Sequence, residues 1–107
     1  MGILDWFSPE RSTAAWAARL FKGICNEDWS FARENKRVIF EEMIQRRPGT
    51  PSPVMQGIRE GYIERLSTLC TVILANEAIQ VDPDDLPLIE QRLRDRLLRQ
   101  GIPADLC

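Results

Sequence analysis

Two glutamates in the middle of the chain have a spacing that permits acid–base or metal chemistry. Glu60 and Glu64 are four residues apart, so on a helix their carboxylates would lie one turn apart on the same face. Such a pair could share a divalent cation or act as a general acid and base. Gly57 and Gly61 surround the pair and would leave it without walls, so a solvated helix face is the simpler interpretation. A small enzyme that uses this pair is one hypothesis for function.

The sequence contains no histidine, which removes several common catalytic and metal-binding arrangements. Ser-His-Asp and Cys-His nucleophiles, Glu-x-x-His di-iron sites and Cys2His2 zinc sites all need an imidazole. The cysteines Cys25, Cys70 and Cys107 are odd in number and far apart, which favours free thiols in a reducing compartment. Cys25 and Cys70 fall on apolar helix faces and are predicted to be buried, whereas Cys107 is expected to be exposed and reactive. No residue pattern indicates a cofactor, and we expect no enzymatic activity.

Three arginines in the last predicted helix are candidates for recognition. Arg92, Arg96 and Arg99 share its outer face, where guanidinium groups could bind phosphate, lipid headgroups or an acidic protein surface. Asp95 precedes Arg99 by four residues, and an ion pair between them would make this a solvated, salt-bridged face. A second basic strip lies on the first predicted helix and consists of Arg11, Arg19 and Lys22. The sequence does not determine whether the two strips adjoin.

Several large apolar side chains fall outside the predicted inward faces of their helices. Apolar side chains beside arginines are typical of protein contact surfaces, although single exposed ones are common on any protein. The predicted partner-binding residues are Phe31, Val38, Leu88, Arg92, Arg96, Leu98 and Arg99.

Capping residues, prolines and apolar periodicity predict about four helices that position these side chains. The predicted helices span residues 9–25, 27–47, 53–79 and 85–100. The first and third begin at a serine followed by proline, because serine caps a helix and proline suits its first turn. The third has the widest apolar face and is predicted to be the central helix.

Short connections favour antiparallel neighbours, so we predict an all-α single domain over residues 1–107, arranged as an up-and-down bundle. The segment 48–53 separates two helices, and its PxxP spacing could alternatively dock a proline-binding domain. The acidic stretch 82–85 lacks the glycine and distant glutamate of a calcium loop, and it is predicted to cap the fourth helix. The apolar segment 1–7 and the tail 102–107 are expected to dock on the bundle.

Length and charge narrow the class of protein. A chain of 107 residues can bury one core without metals or disulfides. Its formal charge of −2 is unlike that of a nucleic-acid-binding domain, which is usually strongly basic. Asp5 interrupts the opening apolar segment and no basic residue precedes it, which does not fit a secretory signal or an attraction to anionic lipid. We therefore expect a cytoplasmic protein without a transmembrane segment or peripheral membrane contact.

These observations lead to a main hypothesis and two alternatives. The main one is a non-enzymatic helical interaction protein, an adaptor, regulator or small assembly factor, that binds a protein partner or itself as a homodimer. The first alternative is a nucleic-acid or phosphate-binding regulator that uses the arginines of the last helix, for which binding should depend on salt. The second is the enzyme based on Glu60 and Glu64, for which a deep pocket lined by acids of perturbed pKa is expected.

Overall fold

Helix boundaries divide the chain more finely than the sequence analysis predicted. The computed structural model describes residues 9–47, 49–77 and 82–107. Its α-helices are α1 (Pro9–Cys25), α2 (Trp29–Glu34), α3 (Lys36–Gln45), α4 (Ser52–Arg59), α5 (Leu66–Asn76) and α6 (Leu86–Arg99), with a 3-10 helix at Pro83–Asp85. These ranges contain no β-strand, so the all-α prediction is confirmed. The segment 1–7, which was expected to dock on the bundle, lies outside the described residues. Pro48, the first proline of the PxxP spacing, also lies outside them.

The predicted helix over 27–47 is divided at Asn35 into α2 and α3. It begins at Trp29 because the Asp28 side chain accepts a hydrogen bond from the N–H of Phe31 at 3.1 Å and so caps the first turn. Asn35 has φ −124° and ψ 26°, and its side-chain amide donates to the carbonyl oxygen of Phe31 at 2.9 Å. Asparagine side chains compete with the helical backbone in this way, which ends α2 after six residues.

The predicted helix over 53–79 is also divided in two, so the prediction of one central helix there is wrong. After α4, Gly61 adopts a left-handed backbone with φ +77°. The N–H of Tyr62 donates to the carbonyl oxygen of Gly57 at 2.9 Å, and the N–H of Gly61 donates to that of Ile58 at 3.1 Å. This pair of bonds is the Schellman motif, in which a left-handed glycine ends a helix. The chain then runs without helix until α5 begins.

The core is organised around α1 and α5. Helix α1 packs against α2, α3, α5 and α6, and α5 packs against α1, α4 and α6. Ala14, Ala17 and Ala18 are buried on α1, and their small side chains let several neighbouring helices approach closely. Residues 69–74 of α5 supply larger apolar groups to the same core. The largest fully buried side chains are Phe21, Phe40, Ile39, Met43, Ile44, Ile58, Leu66, Leu69, Ile73, Leu74, Leu93 and Leu97.

Helices α1 and α6 run in the same general direction. Near the start of α1, the carboxylate of Glu10 lies 3.5 Å from the guanidinium of Arg92. Near the end of α1, the ammonium of Lys22 donates to the carbonyl oxygen of Gln100, which follows α6. The earlier residue of α1 contacts the earlier residue of α6, and the later residue of α1 contacts the residue that follows α6. Antiparallel helices of this length would instead bring the start of one helix to the end of the other. In an up-and-down bundle of four the first and last helices are antiparallel, so that arrangement does not describe this fold.

The segment 102–107 docks on the N-terminal end of α5. Ile102, Leu106 and Cys107 are buried. The N–H of Leu66 donates to the carbonyl oxygen of Leu106 at 3.0 Å. The N–H of Ser67 donates to an oxygen of Cys107 at 2.8 Å. These bonds satisfy N–H groups in the first turn of α5 that have no partner within the helix.

Helix length and composition also bear on membranes. No helix in the described ranges combines the length and the apolar character needed to cross a bilayer.

Candidate functional site

A cleft between α1 and α6 brings together arginines from both helices. This open cleft has a volume of about 460 Å³. Its lining residues are Arg11, Ala14, Ala15, Arg96, Arg99 and Gln100. The sequence predicted Arg96 and Arg99 as partner-binding residues but left the position of Arg11 relative to them open. The basic strips of the first and last helices therefore adjoin through Arg11.

Helical spacing explains why these residues face the same cleft. Arg96 and Arg99 are three residues apart and so are neighbours on the surface of α6. The buried Leu93 and Leu97 hold a neighbouring side of α6 against the core. On α1, Ala14 and Ala15 follow Arg11 by three and four residues, which places all three on one side of that helix. The short alanine side chains leave open space between the longer arginines.

Within the described chain, no carboxylate forms an ion pair with the two arginines of α6 that line the cleft. The predicted ion pair of Asp95 with Arg99 is absent from the described contacts, and Asp95 instead accepts a hydrogen bond from the side chain of Gln91 at 3.1 Å. Arg96 likewise has no ion pair within the described ranges. The ion pairs found there are Arg33–Asp105, Arg46–Glu42, Arg47–Glu77 and Arg92–Glu10.

A second basic pocket differs from the α1–α6 cleft in the charges of its lining residues. Arg65 and Arg94 line a space of about 210 Å³ beside the start of α5. Glu90 lines the same space, so a carboxylate already stands beside those arginines. Among the described residues, none that lines the α1–α6 cleft is acidic. Of these two basic pockets, it is therefore the one better suited to an external anion.

Arg92, the third predicted arginine of α6, lies outside the lining of the cleft. Its guanidinium lies 3.5 Å from the Glu10 carboxylate at the start of α1. More than half of the Arg92 side chain is exposed, so this surface pair contributes little to stability. Arg92 therefore extends the basic surface of α6 while joining it to α1.

The predicted apolar contact residues are exposed, but the structure does not place them on one helix. Leu88 and Leu98 are 50% and 40% exposed on α6. Phe31 and Val38 are 44% and 64% exposed on α2 and α3, both of which pack against α1. Tyr62 lies within the helix predicted over 53–79, and the turn at Gly61 leaves it 74% exposed. We use the name α6 surface for Leu88, Arg92, Arg96, Leu98 and Arg99.

The candidate acid pair does not form. Both Glu60 and Glu64 follow the end of α4, so they are not one turn apart on a helix, and both are exposed. Glu60 accepts a hydrogen bond from the side-chain amide of Gln56 at 2.9 Å. Within the described residues, no group of three or more histidine, cysteine, aspartate or glutamate side chains could hold a metal ion. Asp82 instead accepts a hydrogen bond from the N–H of Asp84 at 3.0 Å and so caps the 3-10 helix before α6.

All three cysteines are free and buried. Burial raises the pKa of the Cys70 thiol to about 12. It also raises the pKa of the Cys25 and Cys107 thiols above their ordinary value. The expectation of an exposed, reactive Cys107 is wrong because the segment 102–107 packs this residue against the core. The thiolate is the nucleophilic form, so these positions do not favour cysteine chemistry.

Comparison with known proteins does not assign a function to the cleft or to the α6 surface. Searches with the whole chain against protein-family models, characterised proteins and solved structures find no match. Function resides in sites more than in folds, so the α1–α6 cleft and the α6 surface carry the functional argument.

Proposed function

We propose that this protein is a non-enzymatic interaction protein that binds an acidic segment of a protein partner along the α6 surface and the α1–α6 cleft. Its role would be that of an adaptor, a regulator or a small assembly factor. The observation that carries the proposal is the position of Arg96 and Arg99, which face one cleft without an ion pair in the described chain.

Exposed apolar side chains on α6 support a protein partner. Leu88 and Leu98 are exposed on the helix that carries these arginines. Protein interfaces combine apolar contact with arginine, which is enriched among the residues that contribute most to binding. Opposite charge across the interface would speed association and select acidic partners. The α6 surface thus offers both components within one helix.

A second copy of the chain is one candidate partner. Asp82, Asp84 and Asp85 are exposed beside the start of α6 and could meet the arginines of another copy. A nucleic-acid partner fits less well, because such binding usually involves many phosphate contacts and a basic domain, whereas this chain has a net charge of −2. The separated Glu60 and Glu64 and the buried thiols favour a binding protein over an enzyme.

Charge reversal of the cleft tests this proposal. The double variant R96E/R99E is expected to lose chemically cross-linked protein complexes that the wild-type chain forms in extracts of its native cells. The matched control R37E/R59E reverses two exposed arginines on α3 and α4 and should retain those complexes. Far-ultraviolet circular dichroism should show equal helix content in all three proteins. Retention of every complex by R96E/R99E would contradict the proposal, and sedimentation of each protein alone would identify a homodimer among the complexes.

A further inference from the structure

We infer that the α1–α6 cleft recognises a phosphate monoester group carried by a side chain of the protein partner. This inference rests on the proposed protein-binding function and specifies the group that occupies the cleft. Arg96 and Arg99 from α6 and Arg11 from α1 line the site.

The charge of the cleft matches a phosphate monoester better than a carboxylate. Arg96 and Arg99 together supply two positive charges without an ion pair in the described chain. A phosphorylated side chain carries a charge of about −1.5 to −2 near neutral pH and has three strong acceptor oxygens. A carboxylate carries one negative charge and would leave half of this positive charge without compensation. A single phosphate group could instead accept hydrogen bonds from both guanidinium groups.

The shape of the cleft also suits this group. Guanidinium groups donate through a planar fork that matches phosphate oxygens, which distinguishes arginine from lysine at such sites. Ala14 and Ala15 line the cleft together with these arginines, and their short side chains leave space for a tetrahedral group. A cleft of about 460 Å³ holds a phosphate group together with the side chain that carries it.

A phosphorylated protein is favoured over a phospholipid as the source of this group. Membrane-binding basic surfaces usually contain about four to eight lysine or arginine residues facing the bilayer. The cleft has three arginines, and Arg96 is only partly exposed between two helices. A side chain projecting from a peptide can enter such a space, whereas a headgroup held in a bilayer would need the helices to approach the lipid surface.

Titration of the full-length, nitrogen-15-labelled chain with O-phosphoserine tests the inference. The expected result is a saturable change in the side-chain Nε–H resonances of Arg96 and Arg99, with no such change on titration with serine or glutamate at equal ionic strength. The variant R96Q/R99Q should bind O-phosphoserine at least about tenfold more weakly, because it lacks the charged donors. The matched control R37Q/R59Q should bind as the wild-type protein does.

The outcomes separate this inference from the proposed function. Absence of saturable binding by O-phosphoserine, or equal binding by R96Q/R99Q, would overturn the inference. If R96E/R99E still lost its protein complexes in that case, the proposed protein-binding function would stand and the arginines would recognise carboxylates. Arginine-dependent binding to vesicles containing phosphatidic acid, without binding to O-phosphoserine, would overturn the protein source. Arginine-dependent binding of O-phosphoserine together with unchanged protein complexes in R96E/R99E would contradict the proposed function and, with it, a partner-borne phosphate.

Discussion

Reactivity of single residues in this protein depends on what the fold places around them. A cysteine reacts as its thiolate, and transfer of that charge into an apolar interior is costly, so burial raises the thiol pKa. Cys70 lies within the apolar part of α5, where its helical position made burial predictable. Cys107 lies in a segment without helical periodicity, and its burial depends on contacts with α5 that are distant in sequence. Local sequence patterns therefore predicted the burial of Cys70 but not the burial of Cys107.

Thiol labelling tests this account of the cysteines. In the native protein, Cys25, Cys70 and Cys107 should all react with a thiol reagent far more slowly than in guanidinium chloride, because all three are buried. The reaction can be followed by the absorbance of the released chromophore. Rapid labelling of one thiol equivalent, assigned to Cys107 by mass spectrometry, would show that the segment 102–107 does not stay docked.

The ion pair between Arg33 and Asp105, which lies in the segment 102–107, predicts that the stability of the protein depends on pH. Arg33 donates hydrogen bonds to both carboxylate oxygens of Asp105 at 2.6 and 3.2 Å, and this contact lowers the pKa of Asp105. A carboxylate with a lowered folded-state pKa stabilises the protein above its unfolded-state pKa, and the contribution is lost as the pH falls through the folded-state value. Both side chains are about half exposed, so we expect a small effect.

The variant D105N isolates this contribution. Wild-type protein should be slightly more stable than D105N at neutral pH, and the difference should disappear as the pH falls below the ordinary aspartate value of 3.8. Urea denaturation across this pH range measures the difference. A difference that grows on acidification would contradict the role assigned to the Arg33–Asp105 pair.

At the scale of helices, the errors of the sequence analysis arise at helix ends. Apolar residues continue at helical spacing through Ile58, Tyr62 and Leu66, so periodicity alone predicts one continuous helix. Gly61 ends α4 because it adopts the left-handed backbone of the Schellman motif, a role that glycine commonly has. The sequence analysis interpreted this glycine only as part of the open surroundings of Glu60 and Glu64. A glycine is a common signal for a helix end, so the sequence contained this information. The strong apolar pattern on both sides of Gly61 favoured a continuous helix instead.

Paired glycine substitutions test this helix end. G61A should destabilise the protein by about 1 kcal/mol, because a side chain is disfavoured at a φ of +77°. G23A is the matched control, since Gly23 lies inside α1, where an added Cβ would meet no described atom within 4 Å beyond its own helix backbone and chain neighbours, and it should stabilise the protein by about 0.5–1 kcal/mol. Urea denaturation measures both. Equal stabilisation by the two variants would support the continuous helix over 53–79.

At the scale of the whole molecule, the all-α fold class was predictable from the sequence. Which helices pack against each other was not. The described residues have a radius of gyration of 13.2 Å, which is the size expected of a compact domain of about 100 residues. The apolar faces of the helices indicated one core, but they do not specify which helix packs beside which. The α1–α6 cleft depends on that choice, because Arg11 and Arg96 are far apart in sequence. The arginines of α6 could therefore be predicted as candidates, whereas their meeting with Arg11 could not.

Truncation of one core residue tests the assigned centre of the molecule. L69A on α5 should cost about 2–5 kcal/mol in the free energy of unfolding, because it leaves a cavity at a fully buried position. L88A makes the same change at a half-exposed position on α6 and should cost less than about 0.5 kcal/mol. Chemical denaturation compares the two variants. Similar small losses for both would contradict the position of α5 in the core.

The central claim is that a protein partner contacts the α6 surface, and site-specific photo-cross-linking tests it most directly. A photoreactive phenylalanine analogue placed at Leu88 should form a discrete cross-linked product in extracts of native cells, and R96E/R99E in the same chain should abolish that product. The same analogue at Tyr62, an exposed aromatic residue outside the α6 surface, should give no such product. A product from Tyr62 but not from Leu88, or a Leu88 product unaffected by R96E/R99E, would contradict the account.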